Sequence, residues 1–173
     1  LAKKIGLRDT SGIFRMSTQG YLGRIGVIDE MSIDSFITIL KEKMELKYVK
    51  VINKKEGNVK KIAINTGGLS CDIEYMKSLD ADVFVTGEIK YNDKVDAHNA
   101  GLCIIEIGHY ESEYIFCNDL VDELANILKD KINDIKLQGT YRRVYEILWK
   151  KLISMFTQER LNHYHALVII ILT

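Results

Sequence analysis

The stretch Leu102-Cys103-Ile104-Ile105-Glu106-Ile107-Gly108-His109-Tyr110-Glu111-Ser112-Glu113 decides the fold. Its first half is an almost continuous apolar run of strand length, as expected for a strand buried on both faces. Glycine breaks the run, and the residues after it follow helical spacing. Strand, glycine and helix start are the parts of a βα unit, and open α/β sheets collect ligands at the carboxyl ends of such strands. His109 and Glu113 fall there. At i and i+4 their Cβ atoms stand about 5–6 Å apart on one helical face, close enough to grip one ion. Imidazole with carboxylate suits zinc, manganese or iron better than calcium. The same pair also reads as a helix-start histidine bonded within its own turn. Two ligands do not complete a site, so a partner chain or further sequence must supply the rest.

Upstream, the same grammar repeats. Strand Ile62-Ala63-Ile64 leads through Thr66-Gly67-Gly68 into a helix with Ser70 as its cap, residues 82–86 are apolar and β-rich, and a second helix covers about 93–100. Each return between strands passes through a helix. These two successive βαβ units predict an α/β fold whose sheet is largely parallel and covered on both faces. Residues 21–28 read as a strand among Gly20, Gly23 and Gly26. Ser32 caps a helix whose Ile33, Phe36, Ile37, Leu40 and Met44 form one apolar stripe. Residues 48–52 and 60–65 are further strands, with turn residues between them.

Downstream, Phe116, Leu120, Leu124, Ile127 and Leu128 mark a long helix ending near Lys131, and residues 134–137 read as a last, edge strand. From Tyr141 the character changes. Residues 141–158 are amphipathic helix material, and 166–172 form an apolar run far below the ~20 residues that span a bilayer. Leu1-Ala2-Lys3-Lys4-Ile5-Gly6-Leu7 reads as the end of a helix with no initiator methionine, so a fragment is expected. The resulting division is 1–17 as the remnant of a preceding segment, 18–140 as an α/β lobe, and 141–173 as a helical and apolar extension.

The 173 residues hold 24 Lys plus Arg against 24 Asp plus Glu, a formal net charge of zero. No basic field points to nucleic acid, and neither a signal peptide nor a membrane span is read. Cys71, Cys103 and Cys117 are odd in number and lack CxxC spacing, so a reducing, cytoplasmic setting is expected.

Other residues keep two readings. Gly67 and Gly68 either present backbone N–H groups to a phosphate or form a tight turn. Glu88, in Thr86-Gly87-Glu88, ends its strand at the same sheet edge as His109, as orienting partner, substrate contact, general base or solvated carboxylate. Cys71 stands in the first turn of a helix; His98, His163 and His165 read as solvent-facing. Arg24 faces either an anion or a structural ion pair.

Gly67-Gly68, Thr86-Gly87-Glu88-Ile89-Lys90-Tyr91 and Gly108-His109-Tyr110-Glu111-Ser112-Glu113, in that order and with Gly20 to Gly26 upstream, resemble the C-terminal half of the Ngg-interacting-factor-three-like family. Its members are also labelled GTP cyclohydrolase 1 type 2 homologues or dinuclear-metal-centre hexameric proteins. The resemblance covers about residues 1–138. It implies the C-terminal lobe of a two-lobed α/β fold, a toroidal homohexamer, and two divalent metal ions per intact subunit, with His109 and Glu113 as ligands. By the same resemblance the family's remaining ligands belong to an N-terminal lobe, which is expected to lie outside these 173 residues. Many members carry histidine where this chain has Asn92, and the segment 139–173 has no counterpart.

The resulting expectation is the metal-binding lobe of a metal-dependent hydrolase acting on a nucleotide or related phosphate compound, inactive as this fragment alone. In it Glu88 is the catalytic candidate, Gly67 and Gly68 are candidate substrate contacts, and two zinc, manganese or iron ions are the cofactor. The competing expectation is a non-enzymatic scaffold in which the metal ions staple the assembly together.

Overall fold

The computed structural model describes residues 1–16, 18, 20–69, 72–128, 135–140 and 167–172. In chain order its elements are α1 (Ala2–Ile5), β1 (Arg8–Arg15), β2 (Tyr21–Ser32), α2 (Ile33–Lys43), β3 (Lys50–Ile52), β4 (Asn58–Asn65), β5 (Gly68–Leu69), α3 (Ile73–Ser78), β6 (Val83–Thr86), β7 (Glu88–Ile89), α4 (Tyr91–Asn99), β8 (Ile104–Glu106), α5 (His109–Glu113), α6 (Ile115–Leu128), β9 (Ile135–Thr140) and β10 (Leu167–Leu172). They form two compact units, Leu1–Glu113 and Tyr114–Thr173.

The first unit is built on a six-stranded sheet of order β1-β2-β4-β6-β8-β3. Strands β4, β6 and β8 run parallel, through helical returns, as the two βαβ units require. The expectation of a largely parallel sheet fails outside them: β1 with β2, β2 with β4 and β3 with β8 are all antiparallel. Helical returns could be read only between the three apolar strands. The flanking strands, being half exposed, carry too little pattern to reveal their direction. Strand β1 was not anticipated at all, because Ile13 is its one fully buried residue.

Burial follows the pleat. Ala63, Phe84 and Ile104 share a core with Met76 of α3 and Ala97 of α4, while their neighbours Ile62, Ile64, Val83, Val85 and Ile105 are buried as well. Both faces of the parallel strands are therefore covered. Helix α2 starts as read, with Ser32 Oγ accepting from the Ser35 N–H at 3.1 Å. Its Phe36 and Leu40 are buried, and the helix packs against β2 and β4. Removing such side chains from water contributes ~1.5–3 kcal/mol each.

Two local readings need correction. The helix expected directly after Gly68 begins later, because Gly68 and Leu69 first pair in parallel with Glu88 and Ile89. Its cap is Asp72, which accepts from the Tyr75 N–H at 3.0 Å; Ser70 and Cys71 lie outside the described residues. The last strand spans Ile135–Thr140 and pairs antiparallel with Leu167–Leu172 in a separate two-stranded sheet. The edges of the main sheet are β1 and β3 instead. The rest of the tail, with His163 and His165, lies outside the described residues. No helix among them is long and apolar enough to cross a membrane.

Candidate functional site

Three glycine turns meet at the carboxyl ends of β4, β6 and β8: Thr66-Gly67-Gly68, Thr86-Gly87-Glu88 and Ile107-Gly108-His109. Backbone hydrogen bonds stitch them together. Ile107 N–H donates to Thr86 O at 2.9 Å, Gly108 N–H to Gly87 O at 2.8 Å, and Glu88 N–H to Gly67 O at 2.9 Å. The Gly67 N–H donates to Ser112 Oγ at 2.9 Å, and that hydroxyl in turn donates to His109 O at 2.8 Å. Ser112 is fully buried, so both of its hydrogen-bonding roles are satisfied inside the protein.

The turns cannot be built with larger residues. A Cβ on Gly87 would stand 2.4 Å from Gly67 O and from Ser112 Oγ, and Gly108 holds a φ of +102° that side chains rarely adopt. Neither Ser112 nor Gly87 was singled out from sequence. The signal was there in principle, as a small hydroxyl three residues after His109 on a short helix and a glycine between two strand-end polar residues.

This frame holds His109 between two carboxylates. Its Nδ1 is 3.0 Å from Glu88 Oε1, and its Nε2 is 3.3 Å from Glu113 Oε1. The hydrogen bond that His109 donates to Glu88 is the largest influence raising the His109 pKa above 6.5; partial burial opposes it, and the charges of Glu113 and Glu88 add to the rise. All three side chains remain open to solvent, with 43% of the His109 side chain accessible. Gly67 lies against the same cluster, its missing Cβ leaving room for Glu113 Oε1 and His109 Nε2. Its N–H is engaged by Ser112, whereas Gly68 is exposed beside Glu88.

The strand end that carries His109 is itself anchored. Glu106 of β8 is buried, with Oε1 2.7 Å from Lys50 Nζ on β3 and Oε2 2.5 Å from Lys94 Nζ on α4. Burial pushes the Glu106 carboxyl up, but the two ammonium groups outweigh it and hold the group below its ordinary 4.5. Two elements are thereby tied to the last residue of β8.

The donor chemistry fits half of a metal site. Ligands about 2.0–2.2 Å from a tetrahedral ion stand about 3.3–3.6 Å apart, which matches the Nε2 to Oε1 separation of 3.3 Å. Glu88 on the opposite ring nitrogen is the usual orienting partner of a metal-binding histidine. Among the described residues, no group of three or more His, Cys, Asp or Glu side chains could hold an ion by itself. The other candidates fall elsewhere: His98 and Asn92 are exposed on α4, Cys103 and Cys117 are buried thiols whose pKa is pushed up by burial, and Arg24 donates to Gly23 O.

The profile of the Duf34/NIF3 (NGG1p interacting factor 3) family matches residues 1–141. A "GTP cyclohydrolase 1 type 2 homolog" of Bacillus subtilis is 32% identical over 111 residues, covering 64% of this chain and 30% of the relative. Its namesake in Staphylococcus aureus is 36% identical over 115 residues, covering 65% and 31%. The chain thus spans about 30% of the length of these curated relatives. Among solved structures, a Staphylococcus aureus hypothetical protein superposes with a TM-score of 0.64 at 27% identity, covering 76% of this chain and 57% of its own. A Bacillus cereus protein related to NIF3 superposes with a TM-score of 0.58 at 31% identity, covering 64% and 30%.

Proposed function

The chain belongs to the Duf34/NIF3 family, and from that premise we propose that it forms the divalent-metal-binding lobe of a dinuclear-metal protein, a metal-dependent hydrolase of a nucleotide or related phosphate compound when whole. The observation that carries this reading is the imidazole of His109, with Nδ1 on Glu88 and Nε2 beside Glu113 Oε1.

Glu88 accepts from Nδ1–H and so fixes both the tautomer and the ring plane. The Nε2 lone pair and the Glu113 carboxylate then face one point in the open cleft, as two ligands of one ion would. Further donors come from outside the described residues. When bound, divalent ions supply Lewis-acid polarisation of a phosphoryl oxygen and activation of water near neutral pH. The chain's own contribution is to hold the two ligands on a short helix whose start is locked by Ser112 and Gly87. Gly68, exposed beside the cluster, is the backbone contact proposed for substrate.

Zinc or manganese titrated into the chain by calorimetry tests this. His109→Ala is expected to weaken binding at least tenfold while the thermal midpoint of the metal-free chain stays in place. Unchanged metal affinity in that variant would remove the assignment.

A further inference from the structure

The same sheet edge carries a second feature, at the end of β4 where β2 pairs with it, with β6 standing between it and the β8 strand that leads to His109. Lys3, Tyr21, Arg24, Asn65 and Thr66 line an open recess of about 300 Å³, and no carboxylate lines it. Among the described residues neither Lys3 nor Arg24 stands in an ion pair. For a chain with as many acidic as basic residues, two unmatched cations on one concave surface are a local excess of positive charge. Another recess, among the described residues, shows the contrast. Its Lys55 is neutralised by Asp82, which lines the same space.

Arg24 is also held in place. Gly23 pairs with Asn65 across β2 and β4, and the position of its absent Cβ is 2.5 Å from Ile64 O, so β2 sits close enough to bring Arg24 over the end of β4. Arg24 donates one N–H to Gly23 O at 2.9 Å, and its guanidinium carbon lies 5.7 Å from the Tyr21 ring centre. That leaves the rest of a planar fork for an incoming group, a geometry suited to phosphate. Asn65, only 5% exposed, donates to Thr66 O at 3.1 Å and fixes the floor. Tyr21 and Leu22, 44% and 55% exposed, supply an apolar wall.

We propose that this recess binds the phosphate or diphosphate group of a small molecule. Thr66 lies in its wall and Gly67 lies against Glu113 and His109, so a phosphate held by Arg24 and Lys3 is at the edge of the candidate metal cluster. The site deepens the hydrolase reading and rests on it for the reaction, but phosphate recognition itself needs only the recess.

The test uses the 173-residue chain freed of metal with a chelator, and two probes, inorganic pyrophosphate and adenosine diphosphate, titrated at low salt. Saturable binding is expected, weakened at least tenfold by Lys3→Gln with Arg24→Gln and partly kept by Arg24→Lys. Lys47→Gln with Lys60→Gln, the same charge loss elsewhere, is expected to leave it unchanged. Tighter binding of the nucleotide, with the excess removed by Tyr21→Ala, assigns the phosphate to a base-bearing ligand. Equal binding assigns it to a phosphate read without its base. Absence of saturable binding, or equal losses in both double variants, would overturn the proposal. Pyrophosphate binding that survives in His109→Ala while metal affinity also stays unchanged would sink the metal reading and leave this one standing.

Discussion

The two ends of the parallel strands β4, β6 and β8 use the same residue types to opposite effect. At the amino-terminal edge, Asp82 accepts from the Lys60 and Lys61 N–H groups at 2.9 Å each and pairs with Lys55. Nearby, the Asn53 amide donates to His98 O at 2.9 Å. Every charge named there has its complement. At the carboxyl edge, Glu88 and Glu113 share one imidazole between them, and Arg24 and Lys3 have no carboxylate among the described residues. A closed set of charges holds loops to a sheet; a solvent-open set retains capacity for something else. Substitutions at the two edges should therefore separate stability from binding.

The largest effect is expected where the carboxyl edge is purely structural. Gly87→Ala forces a methyl group within 2.4 Å of Gly67 O, a backbone atom that cannot swing aside. A loss of ~3 kcal/mol or more is expected from overpacking at a fixed contact, read as a lower urea midpoint. A midpoint unchanged within error would show that the three turns are looser than their hydrogen bonds indicate.

Next comes the closed edge. Burial pushes the Asp82 carboxyl up, but Lys55 and the two backbone N–H groups together bring it below its ordinary 3.8. A carboxyl depressed on folding contributes stability that is fully present above its unfolded pKa and lost as pH falls through the folded one. Asp82→Asn is therefore expected to cost ~1–2 kcal/mol at neutral pH and to flatten the decline of stability below about pH 4. Thermal melts across that range check both. An acid decline as steep as in the parent chain would assign the pH dependence to other groups, Glu106 first.

How much of this contrast could be read in advance depends on where each residue sits. The three parallel strands and the Ser32 cap were legible because runs such as 62–64 and 104–105 are apolar on both faces and Ser32 precedes a clean stripe. Strand β1 was not, since Arg8, Asp9, Thr10 and Ser11 are exposed and carry no periodicity; its place is set by pairing with β2. His109, Glu113 and Glu88 were legible as candidates through their positions at strand ends, but the Glu88 to His109 contact joins residues from different turns and needed the fold. Ser112 and Gly87 escaped because their importance is a matter of tenths of an ångström between turns. Arg24 was read as facing an anion or an ion pair, and only the surroundings could show that no carboxylate reaches it among the described residues.

The smallest expected change in stability belongs to the residue nearest the proposed chemistry. Glu88 is exposed, with 58% of its side chain accessible, and contacts between groups so open are screened by water, so Glu88→Gln should move the unfolding free energy by no more than ~0.5 kcal/mol. Its amide oxygen can still accept from Nδ1–H, but without the negative charge that strengthens the opposite nitrogen as a donor. Metal affinity is therefore expected to fall about 10–100-fold in a protein that melts like the parent. Such a split separates orientation of a ligand from maintenance of the fold, which a carboxylate serving only the turn could not produce. If instead stability and affinity decline together, Glu88 belongs with Asp82 as a structural group, and the two edges of the sheet differ less than their charges imply.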